Sequence, residues 1–238
     1  MGEEPVLVLG KHWLDQAEGD KDRAEGERPR RPDQAQPLEP PEVHPAGADR
    51  LLLFDLHAEA IEGFFDVPTD HLSPHRIFSE YLKGLGLKAL TIVAPDAGGG
   101  RRAEAVANDL GAPIAFGYKR RPDEQSVEVI AISGEVKGRD CVVIEDIITT
   151  GGTVSKLAVA LRQQGANRVI IAATHPVLSG DAMDRLKKAD VEEVIVTDTV
   201  PIPPEKMGSS LKVLSVAPLL AEAIIRVHEN RSVSELFR

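Results

Sequence analysis

The residues best suited to chemistry lie in one stretch, Cys141 to Val154, whose sequence is CVVIEDIITTGGTV. It begins with a short apolar run rich in β-branched residues, which predicts a buried strand. Two carboxylates and then a loop of threonines and glycines follow. The glycines let backbone N–H groups approach an anion, the threonines add hydroxyl donors, and the helix predicted after the loop offers the positive end of its dipole. The candidate phosphate-binding residues are Thr149, Thr150, Gly151, Gly152 and Thr153.

The carboxylates that precede this loop are Glu145 and Asp146. Carboxylate oxygens beside a phosphate site suit a sugar whose vicinal hydroxyls need acceptors and whose phosphates carry Mg²⁺. The alternative is an ordinary strand-to-helix turn with an acidic edge, because a glycine loop by itself is a weak signal. The residues alone leave both interpretations open.

Composition and charge limit the function classes. The 238 residues are 42% apolar and 4% aromatic, which indicates an aliphatic core of the α/β kind. A formal net charge of −10 argues against a nucleic-acid partner, because a phosphate backbone is held by a surplus of Lys and Arg. The one cysteine, Cys141, excludes an internal disulfide. We expect no membrane partner and a cytoplasmic location, because no apolar run approaches about 18 residues and no signal peptide is recognisable.

The first 47 residues differ from the rest of the chain. Eleven of the sixteen residues from 18 to 33 are charged, and residues 29 to 45 contain six prolines without helical or strand periodicity, which predicts irregular chain. Short apolar runs then alternate with helical patterns. The predicted strands are 51–54, 90–94, 113–116, 127–133, the run that starts at Cys141, 169–173, 193–197 and 214–216. The predicted helices are 78–85, 103–110, 156–164, 182–189 and 218–230.

Two further polar residues follow predicted strands. His57 comes just after the first strand, and Asp96 follows the second within the sequence PDAGGGRR. Ligands bind beyond the carboxyl ends of strands in open α/β sheets, so both positions suit a ligand site. A structural or surface histidine, and an aspartate that caps a helix, are the alternatives from the residues alone.

A basic cluster, YKRRPDEQ from Tyr118 to Gln125, opens a predicted polar loop. Lys or Arg on a closing loop stabilises the charge that gathers on phosphate oxygens and excludes water. Lys119 and Arg121 are the candidate catalytic residues. A solvated basic turn is the alternative, and it would be favoured without the neighbouring motifs.

Together these segments resemble the ribose-phosphate diphosphokinase family, the synthetases of phosphoribosyl diphosphate (PRPP). The loop IEDIITTGGT is similar to the PRPP-binding loop of that family and of type I phosphoribosyltransferases. The segments FDLHAEAIEGFFDVPTDHL, PDAGG, KRR and SVAPLLAEAIIRVHENRSVSELF are similar to further family motifs in their order along the chain. The resemblance runs from about Ala48 to Arg238.

This resemblance implies transfer of the diphosphate of Mg-ATP to C1 of ribose 5-phosphate, which yields PRPP and AMP. It implies Mg²⁺ as cofactor and assembly into a homo-oligomer. His57 would lie beside the ATP phosphates and their metal, and Asp96 would help to hold the metal. Lys119 and Arg121 would act from a mobile loop over the reacting phosphates.

For the ribose half of the site, the resemblance implies that Glu145 and Asp146 hold the ribose hydroxyls and that the loop from Thr149 to Thr153 binds the 5-phosphate. The implied fold is α/β, a type I phosphoribosyltransferase-like parallel sheet flanked by helices, with a reduced first domain. The implied divisions are an irregular segment at 1–47, a remnant of the N-terminal domain at 48–72, a phosphoribosyltransferase-like domain at 73–217, and a C-terminal helix and tail at 218–238.

The first fifth of the chain departs from the family pattern. PRPP synthetases have an FxDGE-type segment and an Arg-Gln-Asp segment that hold ATP. No FxDGE-like segment is present here, and Glu18 and Gly19 stand where Arg and Gln are expected. We hypothesise that most of the ATP-binding domain is deleted or that its coding sequence is scrambled. Two alternatives to synthetase activity remain. The protein is a type I phosphoribosyltransferase that uses PRPP, or it is a weak or silent homologue that binds ribose phosphate or regulates a complete synthetase.

Overall fold

The structure, a computed structural model, describes residues 50–120 and 129–237. The segment at 1–47 and the candidate Arg121 therefore lie outside the described residues. The chain divides between Leu72 and Ser73 into two compact units. None of the helices in the described part combines the length and the apolar character that a membrane span needs.

The first unit contains a parallel pair of short strands, β1 (Leu51–Phe54) and β2 (Thr69–Leu72). A 3₁₀ helix, Glu59–Phe64, lies in the connection between them. The β1 side chains are buried, because apolar residues of the connection pack against the strand: Leu56, Phe65 and Val67. The sequence predicted β1 and neither of the other two elements.

The imidazole of His71 holds this connection. Its Nε2 accepts the backbone N–H of Leu56 at 2.9 Å, and its Nδ1 lies 2.6 Å from Oε1 of Glu62. Because Nε2 is the acceptor, Nδ1 carries the ring proton and donates a hydrogen bond to the Glu62 carboxylate. His71 thus fixes the backbone one residue before His57.

The second unit is a seven-stranded sheet in the order β5-β4-β3-β6-β7-β8-β9, in which β4 and β5 are antiparallel and the other neighbours are parallel. Its strands are β3 (Thr91–Ala94), β4 (Ile114–Arg120), β5 (Val129–Ser133), β6 (Asp140–Ile148), β7 (Arg168–Pro176), β8 (Glu193–Thr197) and β9 (Leu211–Leu214). Its helices are α1 (His75–Lys83), α2 (Gly100–Leu110), α3 (Gly152–Gln163), α4 (Ala182–Lys188) and α5 (Ala217–His228), with 3₁₀ turns at Pro204–Lys206 and Val233–Phe237.

Side chains alternate between the two faces of the sheet, and each face has its own apolar core. Strand β6 contributes to both, with Cys141 and Val143 in one core and Val142 and Ile144 in the other. Helices α3 and α4 cover the first face, and α1 and α2 cover the second. A strand covered on both sides needs apolar residues at every position, which explains its unbroken apolar run.

Cys141 lies at the centre of this sheet and is fully buried. Burial raises the pKa of its thiol to about 11. The interpretation of Cys141 as a strand residue is therefore confirmed.

The element boundaries depart from the predicted ones mainly where glycine or polar residues continue an element. Helix α3 begins at Gly152 rather than at residue 156, and α2 begins at Gly100 rather than at residue 103. Strand β4 continues to Arg120, so Lys119 lies in a strand where a loop was predicted. The last strand was predicted wrongly at 214–216; it lies at Leu211–Leu214, with Leu211 as its buried side chain.

Candidate functional site

The loop after β6 has the backbone shape that its glycines allow. Gly151 has φ 70°, in the left-handed region, and precedes the first residue of α3. A Cβ at this position would lie 3.4 Å from the carbonyl oxygen of Ala182. Glycine avoids the strain that another residue would have in this left-handed conformation. The hydroxyl-bearing residues Thr149 and Thr150 are exposed beside it.

A second segment supports this loop from the side. The backbone N–H of Leu178 donates to the carbonyl of Ile148 at 2.9 Å, and that of Ser179 donates to the carbonyl of Thr149 at 2.9 Å. These two bonds tie the loop to the chain that follows β7. No side chain caps the N-terminus of helix α3. Its first backbone N–H groups are therefore not occupied by a capping side chain, and they lie beside the loop with the exposed threonines.

The two carboxylates lie inside β6 and face different surroundings. Consecutive strand residues point to opposite faces of the sheet. Asp146 is 2% exposed, and its Oδ2 lies 2.8 Å from Nη2 of Arg102 in α2. Glu145 is half-buried on the other face, and its Oε1 accepts the backbone N–H of Asp146 at 3.0 Å. The sequence predicted a matched acidic pair, whereas in the structure Glu145 is the more accessible of the two.

Burial, and then the negative charges of Asp146 and Asp96, together raise the pKa of the Glu145 carboxyl to about 8. The carboxyl is therefore largely protonated near neutral pH, where it can both donate and accept a hydrogen bond.

Asp96 lies at the same edge of the sheet, because β3 pairs with β6 and the carboxyl ends of the two strands are neighbours. Its side chain is exposed, and Oδ1 accepts the backbone N–H of Gly99 at 2.9 Å. The turn is tight, since a Cβ on Gly99 would lie 3.0 Å from the Pro95 ring. The capping alternative is thus partly realised: Asp96 braces the turn before α2, while its carboxylate remains open to solvent.

The structure places the other candidates as follows. His57 is exposed in the first unit, three residues after β1. Lys119 lies in β4, and Arg121 follows outside the described residues. His175 lies in a hydrogen-bonded cluster: its Nδ1 is 3.0 Å from Oγ1 of Thr199, which donates to the carbonyl of Thr174.

Mg²⁺ fits the oxygen donor that the β3 loop presents. Among residues 50–120 and 129–237, no three His, Cys, Asp or Glu side chains cluster closely enough to hold a metal by themselves. Mg²⁺ is commonly held by one or two carboxylates together with substrate phosphates, and it keeps several waters. The exposed Asp96 carboxylate matches that requirement.

Arg102 is the residue of this site that the sequence analysis passed over. A signal was present, because two arginines, Arg101 and Arg102, directly precede the predicted helix at 103–110 and so place cations at the positive end of its dipole. Its partner could not be identified from the sequence, since Asp146 lies on a distant strand.

Comparison with known proteins agrees with this geometry. A family model described as phosphoribosyl synthetase-associated domain matches residues 123–238. Ribose-phosphate pyrophosphokinase of Listeria ivanovii is 48% identical over 197 residues, which cover 82% of this chain and 62% of that protein. The ribose-phosphate pyrophosphokinase of Bacillus subtilis strain 168 is 49% identical over 192 residues, 81% of this chain and 61% of that protein.

A crystal structure of phosphoribosylpyrophosphate synthetase from Mycobacterium smegmatis superimposes with a TM-score of 0.71 at 44% identity, over 78% of this chain and 61% of that one. The fold and the site define an α/β protein with glycine loops gathered at the carboxyl edge of a mostly parallel sheet. Over the region that these matches cover, the chain belongs to the ribose-phosphate pyrophosphokinase family, also called ribose-phosphate diphosphokinases or PRPP synthetases. The chain spans about three fifths of the length of these relatives.

Proposed function

We propose that this protein is a ribose-phosphate diphosphokinase, which transfers the diphosphate of Mg-ATP to the C1 hydroxyl of ribose 5-phosphate. One observation carries the proposal: a Thr/Gly loop with exposed threonines, Glu145 and Asp96 lie together at the carboxyl edge of the sheet. The similarity to ribose-phosphate pyrophosphokinases supports it over about four fifths of the chain.

In the ribose half of the site, the loop from Thr149 to Thr153 holds the 5-phosphate through backbone N–H groups and threonine hydroxyls. The carboxyl of Glu145 forms hydrogen bonds with the ribose hydroxyls. Asp146, the second member of the acidic pair, lies on the opposite face of β6. This arrangement fixes the direction in which C1 points. Positioning of this kind lowers the barrier without covalent work by the protein.

In the ATP half, Asp96 would hold Mg²⁺, which would neutralise charge on the phosphate oxygens. By the family resemblance, His57 would bind the ATP phosphates and their metal. The C1 oxygen attacks the β-phosphorus, the bond from that phosphorus to the oxygen shared with the α-phosphorus breaks, and AMP leaves as the hydroxyl proton is released. Lys119 and Arg121 stabilise the charge on the transferring group. Homo-oligomeric assembly, which the family resemblance implies, is part of the proposal.

The test is to incubate the protein with ATP, ribose 5-phosphate and MgCl₂ and to measure AMP and PRPP. We expect both products in equal amounts, and we expect Asp96→Asn to lower the rate by at least about tenfold, as loss of a metal-holding carboxylate does. Asp109→Asn, at an exposed position on α2, is the matched control and should retain wild-type activity. Absence of both products from folded wild-type protein would contradict the proposal.

A second candidate function follows from the departure of the first 47 residues from the family pattern, in which Glu18 and Gly19 stand where Arg and Gln are expected. Every residue proposed for the ribose half of the site, by contrast, lies within the described part of the chain. A homologue that binds ribose phosphate without turning over ATP would have this arrangement. Calorimetry separates the two, because binding of ribose 5-phosphate without binding of Mg-ATP favours the second.

The PRPP-consuming alternative rests on the IEDIITTGGT loop, which suits a type I phosphoribosyltransferase equally well. Incubation with PRPP and each free purine and pyrimidine base tests it. Release of diphosphate that depends on a base would favour a transferase over a synthetase.

A further inference from the structure

We propose that Arg102 is a positioning residue of this site, which links the loop that carries Asp96 to the strand that carries Glu145 and Asp146. The inference rests on the proposed function, because it assigns a further residue to the same ribose-phosphate site.

The geometry that supports the link is an ion pair between two secondary-structure elements. Arg102 lies in the first turn of α2, directly after the PDAGGG loop, and its Nη2 is 2.8 Å from Oδ2 of Asp146. The side chains are 20% and 3% exposed, so water screens the pair little. Removal of one partner would leave the other charge buried, which is strongly unfavourable.

The position of Arg102 is unusual for a helix. The first turn of α2 contains no acidic residue and carries two arginines at the positive end of the helix dipole. Arg101 is exposed, whereas Arg102 is largely buried. The Asp146 carboxylate therefore compensates a buried cation at this helix start.

The link continues from Asp146 to the more accessible carboxyl. The backbone N–H of Asp146 donates to Oε1 of Glu145 at 3.0 Å. A continuous path thus runs from the start of α2 through Asp146 to Glu145. On the other side of Arg102, the Asp96 carboxylate is tied to the same turn through the N–H of Gly99. Movement of Arg102 would therefore displace both Glu145 and Asp96.

The experiment compares Arg102→Gln and Arg102→Lys with wild type. Calorimetry with ribose 5-phosphate should show binding weakened about 10- to 100-fold in R102Q, the range expected for loss of a charged hydrogen bond, and partly restored in R102K. Arg101→Gln removes the same charge from the same helical turn and should bind within about twofold of wild type. A structural role alone would lower thermal stability without the partial rescue of binding by lysine.

Amide hydrogen exchange of the ligand-free proteins tests the link without any ligand. In R102Q, the amides of residues 97–100 and 149–152 should both exchange faster than in wild type, while those in R101Q should not change. Wild-type binding together with wild-type exchange in R102Q would overturn the inference. Wild-type protein that does not bind ribose 5-phosphate would instead contradict the proposed function, and the exchange result would still decide the link.

The charge-balanced double variant R102Q/D146N covers the case in which R102Q fails to fold, because it removes both charges of the buried pair. If Arg102 acts through Asp146, the double variant binds ribose 5-phosphate as well as Asp146→Asn alone does. A further tenfold loss in the double variant would show that Arg102 acts independently of Asp146, and the inference would fail.

Discussion

At the scale of single residues, the Glu145 carboxyl makes the stability of the protein depend on pH. Its pKa is raised from 4.5 to about 8, first by burial and then by the charge of Asp146. Between these two values the folded protein holds a proton that the unfolded chain has lost. The free energy of unfolding therefore falls as pH rises from about 4.5 to about 8, and this contribution is constant above and below that window.

Glu145→Gln removes the titrating group and keeps its size. We expect the stability of the variant relative to wild type to increase between pH 5 and pH 9 by more than about 1.4 kcal/mol, the equivalent of one pKa unit. Chemical denaturation at both pH values measures the change. Glu104→Gln, on the exposed side of α2, is the control and should show no such trend. An identical pH dependence in E145Q and wild type would refute the raised pKa.

Gly151 and Gly138 share the same left-handed backbone, each with φ 70°, and only Gly151 lies in the candidate phosphate loop. Alanine at either position should lower the free energy of unfolding by about 1–2 kcal/mol, the cost of a left-handed residue with a Cβ. Ribose 5-phosphate binding should weaken in Gly151→Ala and remain unchanged in Gly138→Ala. Calorimetry and denaturation on both variants measure the two effects. Equal ribose 5-phosphate binding by the two variants would show that Gly151 is not part of the phosphate site.

Much of the candidate site was visible in the sequence, because its parts are local. The order strand, acid, glycine loop and helix appears twice, around Asp96 and around Glu145, and the structure brings these two regions to one edge of the sheet. The different surroundings of Glu145 and Asp146 were not visible. They depend on the contact of Asp146 with Arg102, which arises only when α2 packs on the sheet.

At the scale of elements, a polar contact fastens α1 to the far side of the sheet. The hydroxyl of Tyr81 donates to Oε1 of Glu193 in β8 at 2.6 Å, and Nζ of Lys212 in β9 lies 5.5 Å from the ring centre. Burial, followed by the bond to Glu193, raises the pKa of Tyr81 to about 12. The contact links the first helix of the second unit to two strands that follow it late in the chain.

Tyr81→Phe deletes the hydroxyl and keeps the ring under Lys212. We expect a loss of about 1.5–3 kcal/mol in the free energy of unfolding, the value typical of a hydrogen bond to a charged group. The midpoint of urea denaturation measures it. Tyr118→Phe, at a residue that is 46% exposed, should change stability by less than about 0.5 kcal/mol. Equal midpoints for Y81F and wild type would show that water replaces the bond without cost.

Element prediction succeeded where burial was complete and failed where it was partial. The strand that begins at Cys141 was recognisable because its first residues are apolar without interruption. Strand β9 was misplaced because it buries only one side chain and lies at the edge of the sheet, so its pattern is weak. The starts of α2 and α3 were missed because glycine has low helix propensity, and here the loops before them place it in the first turn.

At the scale of the whole molecule, the α/β class and the mostly parallel sheet were predicted and are confirmed. Alternation of apolar runs and helical patterns is a property of the entire second unit, so errors at single boundaries do not alter it. Whether the ATP-binding half of the site is retained could not be predicted in the same way. It depends on the first 49 residues, which lie outside the described part of the chain, and on an activity that only the proposed assays measure.

The buried Cys141 has a practical consequence for experiments on the intact protein. It is the sole cysteine in the chain, and it lies on the central strand with a thiol whose pKa is about 11. A thiol reagent should therefore modify the native protein only when the sheet opens. The labelling rate then measures how often this opening occurs. We expect labelling in buffer to be at least about 1000-fold slower than in 6 M guanidinium, by mass spectrometry. Ribose 5-phosphate should slow it further, so one natural thiol reports ligand binding without any introduced label.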